Sequence, residues 1–160
     1  MKTNTNANTP IMKFCLPLLL TFMFVSCSDA TKNQDSPSVD IEGTWQLVSS
    51  VQIQNDSTHT DDLSGQKMIK ILNKTHFSFL RHDLDSGKSA SPVFVSGGGR
   101  YFFEDQKYTE HLEYCNFREW EGHEFDFEVK FIGDTLIQQG VEEIKELGVN
   151  RTIIEKYVRI

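Results

Sequence analysis

The chain has 160 residues with 16 basic and 23 acidic side chains, a net charge of −7. Its composition is near the globular average, so one folded domain is expected. No basic patch stands out, which argues against nucleic acid as a partner and against attraction to anionic headgroups.

The chain opens with Lys2 and Lys13 and then runs apolar and uncharged from Phe14 to Ser26, 13 residues. A helix that spans a membrane needs about 20 such residues. A positive start, a short apolar run and a small residue at its end predict a secretory signal over 1–26. Phe24-Val25-Ser26-Cys27 resembles a bacterial lipobox, with Phe24 where Leu is usual. That resemblance implies cleavage before Cys27 and lipid attachment to its thiol, which would anchor the protein to a membrane of the bacterial envelope. The alternative is an ordinary signal peptide cut near Ser26. Neither the periplasmic nor the surface face of a membrane is singled out. Cys15 leaves with the signal, so only Cys115 remains beside a lipidated Cys27 and no intramolecular disulfide is expected. Residues 28–40, SDATKNQDSPSVD, hold almost nothing apolar and predict a disordered tether over 27–40. Asp56-Ser57-Thr58 resembles the O-glycosylation pattern of Bacteroidetes.

From Gly43 onward the dominant period is two. Trp45, Leu47, Ser49, Val51 and Ile53 fall on one face of a first strand. In HEFDFEVKF, residues 123–131, Phe125, Phe127, Val129 and Phe131 alternate with charged residues, the pattern of a half-buried strand. Further strands are predicted near 66–72, 75–82, 92–96, 99–104, 107–115, 135–141 and 151–160. Asn73-Lys74 and Gly133-Asp134 read as tight turns, and 55–65 and 83–91 as polar loops. VEEIKELG, residues 141–148, suits one short helix closed by Gly148. About nine short antiparallel strands, each with one apolar face, predict an all-β barrel or sandwich. Gly97-Gly98-Gly99 favours a barrel, since glycines between two strands permit the bend that closure requires. The same triplet lacks the spacing, lysine and following helix of a phosphate-binding loop.

Gly43-Thr44-Trp45, opening the first strand, resembles the G-x-W signature of lipocalins. THFSF, GGGRY, YTEHLEY and GDTL are similar to segments of a lipocalin-like family of Bacteroidetes lipoproteins over residues 41–160. The resemblance implies an antiparallel, lipocalin-like (calycin-type) barrel of 8–10 strands. It implies that Trp45 closes the barrel floor and that Arg159, in the terminal IIEKYVRI, packs across it. It attaches no activity to the fold.

Among the five histidines there is no H-E-x-x-H, and no cysteine pair accompanies them, so neither a metal nor another cofactor is expected. His111 and Glu113 share a strand face and could ligate a metal, but that face is expected to be wet. No G-x-S-x-G elbow occurs, and no acid–base pair stands out. REWEGHE, residues 118–124, is either a binding lip or a solvated loop whose Trp120 packs on the rim. Arg81 shares a face with Phe77 and Phe79, and Glu110 shares one with Tyr108 and Tyr114. Charges on apolar faces are costly, so Arg81 and Glu110 should pair with each other or meet a polar ligand. The expected function is binding of a small, partly apolar and possibly anionic molecule. Its predicted contacts are Arg81, Glu110, Tyr101, Tyr108, Tyr114, Phe127 and Tyr157. The alternatives are a filled barrel that docks a protein, and a barrel enzyme using Glu110 or His111.

Overall fold

A computed structural model describes residues 40–160. The expected signal and most of the expected tether, with Cys27, lie outside the described residues. Ten strands run in chain order: β1 (Gly43–Gln54), β2 (Ser57–Thr60), β3 (Gln66–Leu72), β4 (His76–Asp83), β5 (Phe94–Glu104), β6 (Lys107–His111), β7 (Tyr114–Cys115), β8 (Glu124–Ile132), β9 (Thr135–Ile144) and β10 (Val149–Arg159). All neighbours are antiparallel, in the order β10-β9-β8-β6-β5-β4-β3-β1. β1 then pairs with β10, from Trp45 opposite Arg159 to Ile53 opposite Thr152. This closes an eight-stranded barrel of the lipocalin-like kind. Closure removes the free edges that an open sheet exposes.

Alternation builds the interior as expected on β8, where Phe125, Phe127 and Val129 are buried and Glu124, Asp126, Glu128 and Lys130 are exposed. β1 departs from it. Its pairing with β10 slips between Leu47 and Ser49, a bulge at Val48. One extra residue moves every later side chain to the opposite face. Trp45 and Leu47 are buried before the bulge; after it Ser50 is buried and Ile53 is exposed. The expected inward set of Ser49, Val51 and Ile53 is therefore corrected to Ser50 and Gln52.

The glycine triplet also differs from expectation. It separates no two strands but sits inside the continuous β5. Residues 107–115 in turn are not one strand. β6 pairs Glu110 with Tyr101, while β7 pairs Cys115 with Gly97, a shift of one residue in register. A Cβ on Gly99 would lie 1.9 Å from the His111 carbonyl oxygen, so a backbone approach of this closeness requires glycine there. The slip reverses the alternation, and Tyr114 is turned outward, 67% exposed.

Residues 55–65 contain the exposed β2, joined to β1 by a two-residue turn with Asn55 and Asp56 both at positive φ. The predicted helix near 141–148 is instead the end of β9 followed by a single 3-10 turn, Lys145–Leu147, with Gly148 at φ 67°. Both ends of β9 follow from its pairing with β10 out to Ile144 opposite Val149. Tertiary hydrogen bonding outweighs a weak local helix pattern.

Candidate functional site: a polar interior beneath an aromatic cavity

One end of the barrel is sealed. Trp45 is 2% exposed, and its indole Nε1 donates to the Ile41 carbonyl at 2.9 Å. The Arg159 guanidinium lies over the indole, 4.2 Å from the ring centroid. Its Nη2 donates to the Asp40 carbonyl at 2.6 Å and its Nη1 to the Glu42 carbonyl. Gly43 has φ +137°, and a Cβ there would meet Arg159 Nη1 at 2.4 Å. The glycine of the G-x-W segment is thus called for by its positive φ, with the Arg159 guanidinium close against it. Phe131 packs beside Trp45, and the Tyr101 hydroxyl donates to the Asn73 carbonyl at 2.6 Å.

Above this floor lies a buried polar cluster. Lys70 is 3% exposed; its Nζ donates to Glu110 Oε1 at 2.7 Å and to Gln138 Oε1 at 2.8 Å. The same ammonium stands 5.5 Å from the Tyr108 ring centroid and 5.3 Å from that of Tyr157. The Tyr157 hydroxyl donates to Glu155 Oε2 at 2.6 Å. The buried Tyr108 hydroxyl has no partner. Burial holds both phenols well above their ordinary pKa and raises Glu155. An ion pair in such surroundings is sustained only because its members are hydrogen-bonded as well as opposed in charge.

Higher still, the interior opens into a cavity of about 420 Å³. Its walls are Phe79, Val95, Leu112, Cys115, Phe117, Trp120 and Phe125, with Glu110 at its base and Glu119, Glu142 and Arg151 also facing it. Arg151 is held by Glu142 Oε2 through Nε at 2.7 Å and through Nη2 at 2.7 Å. Its Nη1 donates to Gln52 Oε1 at 2.8 Å, and its guanidinium lies 5.5 Å from the Trp120 ring centroid. The bonds continue around this end: Gln52 Nε2 donates to Asp61 Oδ1 at 3.3 Å, and Arg81 Nη1 to Asp61 Oδ2 at 3.2 Å. Arg81 Nε donates to Gln66 Oε1 at 2.6 Å. Burial raises Glu142 against the opposing pull of Arg151, and burial also pushes the Cys115 thiol up.

The residues expected to form the site are therefore divided. Glu110 alone among them lines the cavity. Tyr108, Phe127 and Tyr157 are buried in the core, and Tyr101 serves the floor. Tyr114 is outside. Arg81 and Glu110 do not pair: Arg81 is taken by Asp61 and Gln66, and Glu110 by Lys70. His111 and Glu113, the other candidate pair, turn to Glu124 and Arg100 respectively. Among the described residues no cluster of His, Cys, Asp or Glu has the grouping of a metal site. Lys70, Gln138, Glu142, Arg151 and Glu155 are the interior polar residues that pattern reasoning passed over. The signal for them was present, since each shares strand parity with buried residues: Lys70 with Leu72, Gln138 with Leu136, Glu142 with Ile144, and Arg151 and Glu155 with Ile153 and Tyr157. In comparisons with known proteins, no family model and no curated protein matches the chain.

Proposed function

We propose that the barrel binds a small, partly apolar molecule in its interior, as a lipocalin-like lipoprotein held to the bacterial envelope through Cys27. The observation that carries the binding reading is the cavity of about 420 Å³ beside Phe79, Trp120 and Phe125, which has Glu110, Glu142 and Arg151 on its walls. Small-molecule sites are mostly apolar concavities of about 300–1,000 Å³ with a few convergent polar groups. The sealed opposite end supports a single direction of entry. The preference for an anion that Arg81 suggested loses its motive, because that guanidinium is already satisfied by Asp61 and Gln66.

Native mass spectrometry of the protein purified from its host tests the reading. A reproducible bound mass is expected, and Leu112→Trp, which fills the cavity, should remove it. An adduct that persists in Leu112→Trp places the ligand elsewhere and overturns the interior site. The anchor has its own support, the charged start, the short apolar run and Cys27. Cys27→Ser should accumulate as an uncleaved precursor without lipid label. Normal processing of that variant sinks the anchor.

Docking of another protein is favoured by one feature, the cluster of apolar side chains left outside around β5 and β7. Phe94 is 62% exposed, Tyr114 67% and Phe117 45%. Single exposed apolar residues are ordinary, so this reading ranks second.

A further inference from the structure

We infer that the interior cavity selects an organic ammonium, a cation with N–H donors on an apolar body. The inference rests on the interior-binding reading and names the ligand class for that site. The cavity is rich in acceptors. Glu110, Glu119 and Glu142 face it, against Arg151 on its wall and Lys70 buried behind Glu110. Arg151 has no free role toward an anion, because Glu142 and Gln52 hold it and Trp120 lies beneath it. Of the two Glu110 oxygens only Oε1 accepts a hydrogen bond, from Lys70; of the Glu142 oxygens only Oε2 does, from Arg151, among the described residues. Glu110 is nine-tenths buried, with a side chain 8% exposed. An ionised carboxylate accepts and cannot donate. A ligand that engages these oxygens therefore brings N–H or O–H donors, and with Glu110 paired to Lys70 and Glu142 to Arg151, Glu119 is the wall carboxylate left for a positive charge to meet among the described residues. An anion would face the same carboxylates with no unengaged cation to receive it.

The walls fit the same ligand. Phe79, Trp120 and Phe125 offer aromatic surface, and an aromatic face attracts a cation within about 6 Å. Arg151 over Trp120 already makes this contact at 5.5 Å. Phe125 lies 6.1 Å from Trp120, centroid to centroid, so the two rings form one continuous apolar wall for the body of the ligand.

The test uses one chain length with three heads: n-octylammonium, n-octanol and n-octyl sulfate, each below its micelle concentration, titrated by calorimetry. Octylammonium is expected to bind at least about tenfold tighter than octyl sulfate, a difference of about 1.4 kcal/mol. Octanol should fall between them. Glu110→Gln keeps an acceptor for Lys70 while removing the charge. It should weaken octylammonium about fivefold or more and leave octanol nearly unchanged. If that variant does not melt cooperatively, Trp120→Leu at the cavity wall takes its place and should weaken the ammonium more than the alcohol. Equal affinity for all three probes, or preference for the sulfate, overturns the cation inference but leaves the interior site standing. Binding of none of them overturns the interior site as well.

Discussion

The two ends of the barrel are built from the same pair of residue types and behave differently. Both place an arginine of β10 over a tryptophan: Arg159 over Trp45 at 4.2 Å, and Arg151 over Trp120 at 5.5 Å. At the floor, the arginine is held by the backbone carbonyls of Asp40 and Glu42, and the tryptophan is in the wall of the barrel itself. At the other end the arginine is held by Glu142 and Gln52, and the tryptophan belongs to a 3-10 turn, Arg118–Trp120, that only leans on the barrel. The first arrangement fills its space, whereas the second leaves a cavity beneath it. An arginine–tryptophan contact thus seals or merely roofs a barrel according to which element carries the tryptophan.

Substitution of the two tryptophans should break the symmetry most. Trp45→Ala should lose about 3–5 kcal/mol of stability, as removal of a buried indole does. Trp120, half-buried at the opposite end, should lose about 1–2 kcal/mol on the same change. Urea unfolding of both variants measures this, and equal losses would erase the distinction between floor and roof. Of similar size is the effect of Lys70→Ala, in the polar cluster that lies between them. It strands Glu110 and Gln138 in the core, and breaking a buried pair in this way costs about 3–5 kcal/mol. Lys70→Met with Glu110→Leu should be markedly less unstable than the sum of the single losses; additivity would show that the two groups do not act as a pair.

Gly43→Ala sharpens the floor side alone. Its positive φ and the nearness of Arg159 predict a loss of about 1–3 kcal/mol. Gly122 at the other end also has positive φ but open space where a Cβ would stand, so Gly122→Ala should cost only its backbone strain and less than Gly43→Ala. Thermal melts that rank the two the other way would contradict strain at Gly43, from its φ of +137° and the nearby Arg159 together. Smaller again is the coupling within each pair. A double-mutant cycle on Trp45 and Arg159 should give about 0.5–2 kcal/mol, the range of a cation over an indole. The longer Arg151–Trp120 contact should give less.

The smallest effect is in pH. Glu142 and Glu155 are raised above the ordinary 4.5 by burial, on the cavity side and in the core respectively. The folded state keeps these protons at pH values where the unfolded chain has released them. Stability attached to that protonation is complete below about 4.5 and is lost as pH rises through the folded values. Asp126, lowered by hydrogen bonds from Thr109 and Lys107, acts with the opposite sign, adding stability above 3.8 that disappears on acidification. Urea titrations over a pH series rising from about 4.5 should show a decline that Glu155→Gln flattens. A wild-type curve that rises over this interval would contradict burial as the cause.

Much of the strand pattern was legible from alternation alone. β8 reads correctly because a half-buried antiparallel strand writes its two faces into consecutive residues. The turn at Gly133-Asp134 and the strands beside it are read the same way. The arginine over Trp45 followed from a resemblance rather than from period, since nothing local links residues 114 positions apart. Failures cluster where one residue is added to a ladder. The bulge at Val48 exchanged Ile53 for Gln52 on the inner face, and the slip between β6 and β7 sent Tyr114 outside. A bulge leaves almost no mark in residue types, yet it inverts every assignment beyond it.

The sequence by itself determined which side chains alternate, and hence an antiparallel all-β fold, barrel or sandwich, in which charged residues such as Glu110 share a face with apolar ones. Local chemistry suffices for that, because period two and turn residues act over a few positions. Which charges meet was decided only by the closed tertiary structure. Lys70 and Glu110 are on different strands, 40 residues apart, and Arg151 reaches Gln52 across 99. Closure of β1 on β10 brings these side chains into one space of low polarity, where each charge takes the partner that the barrel register presents rather than the one nearest in sequence.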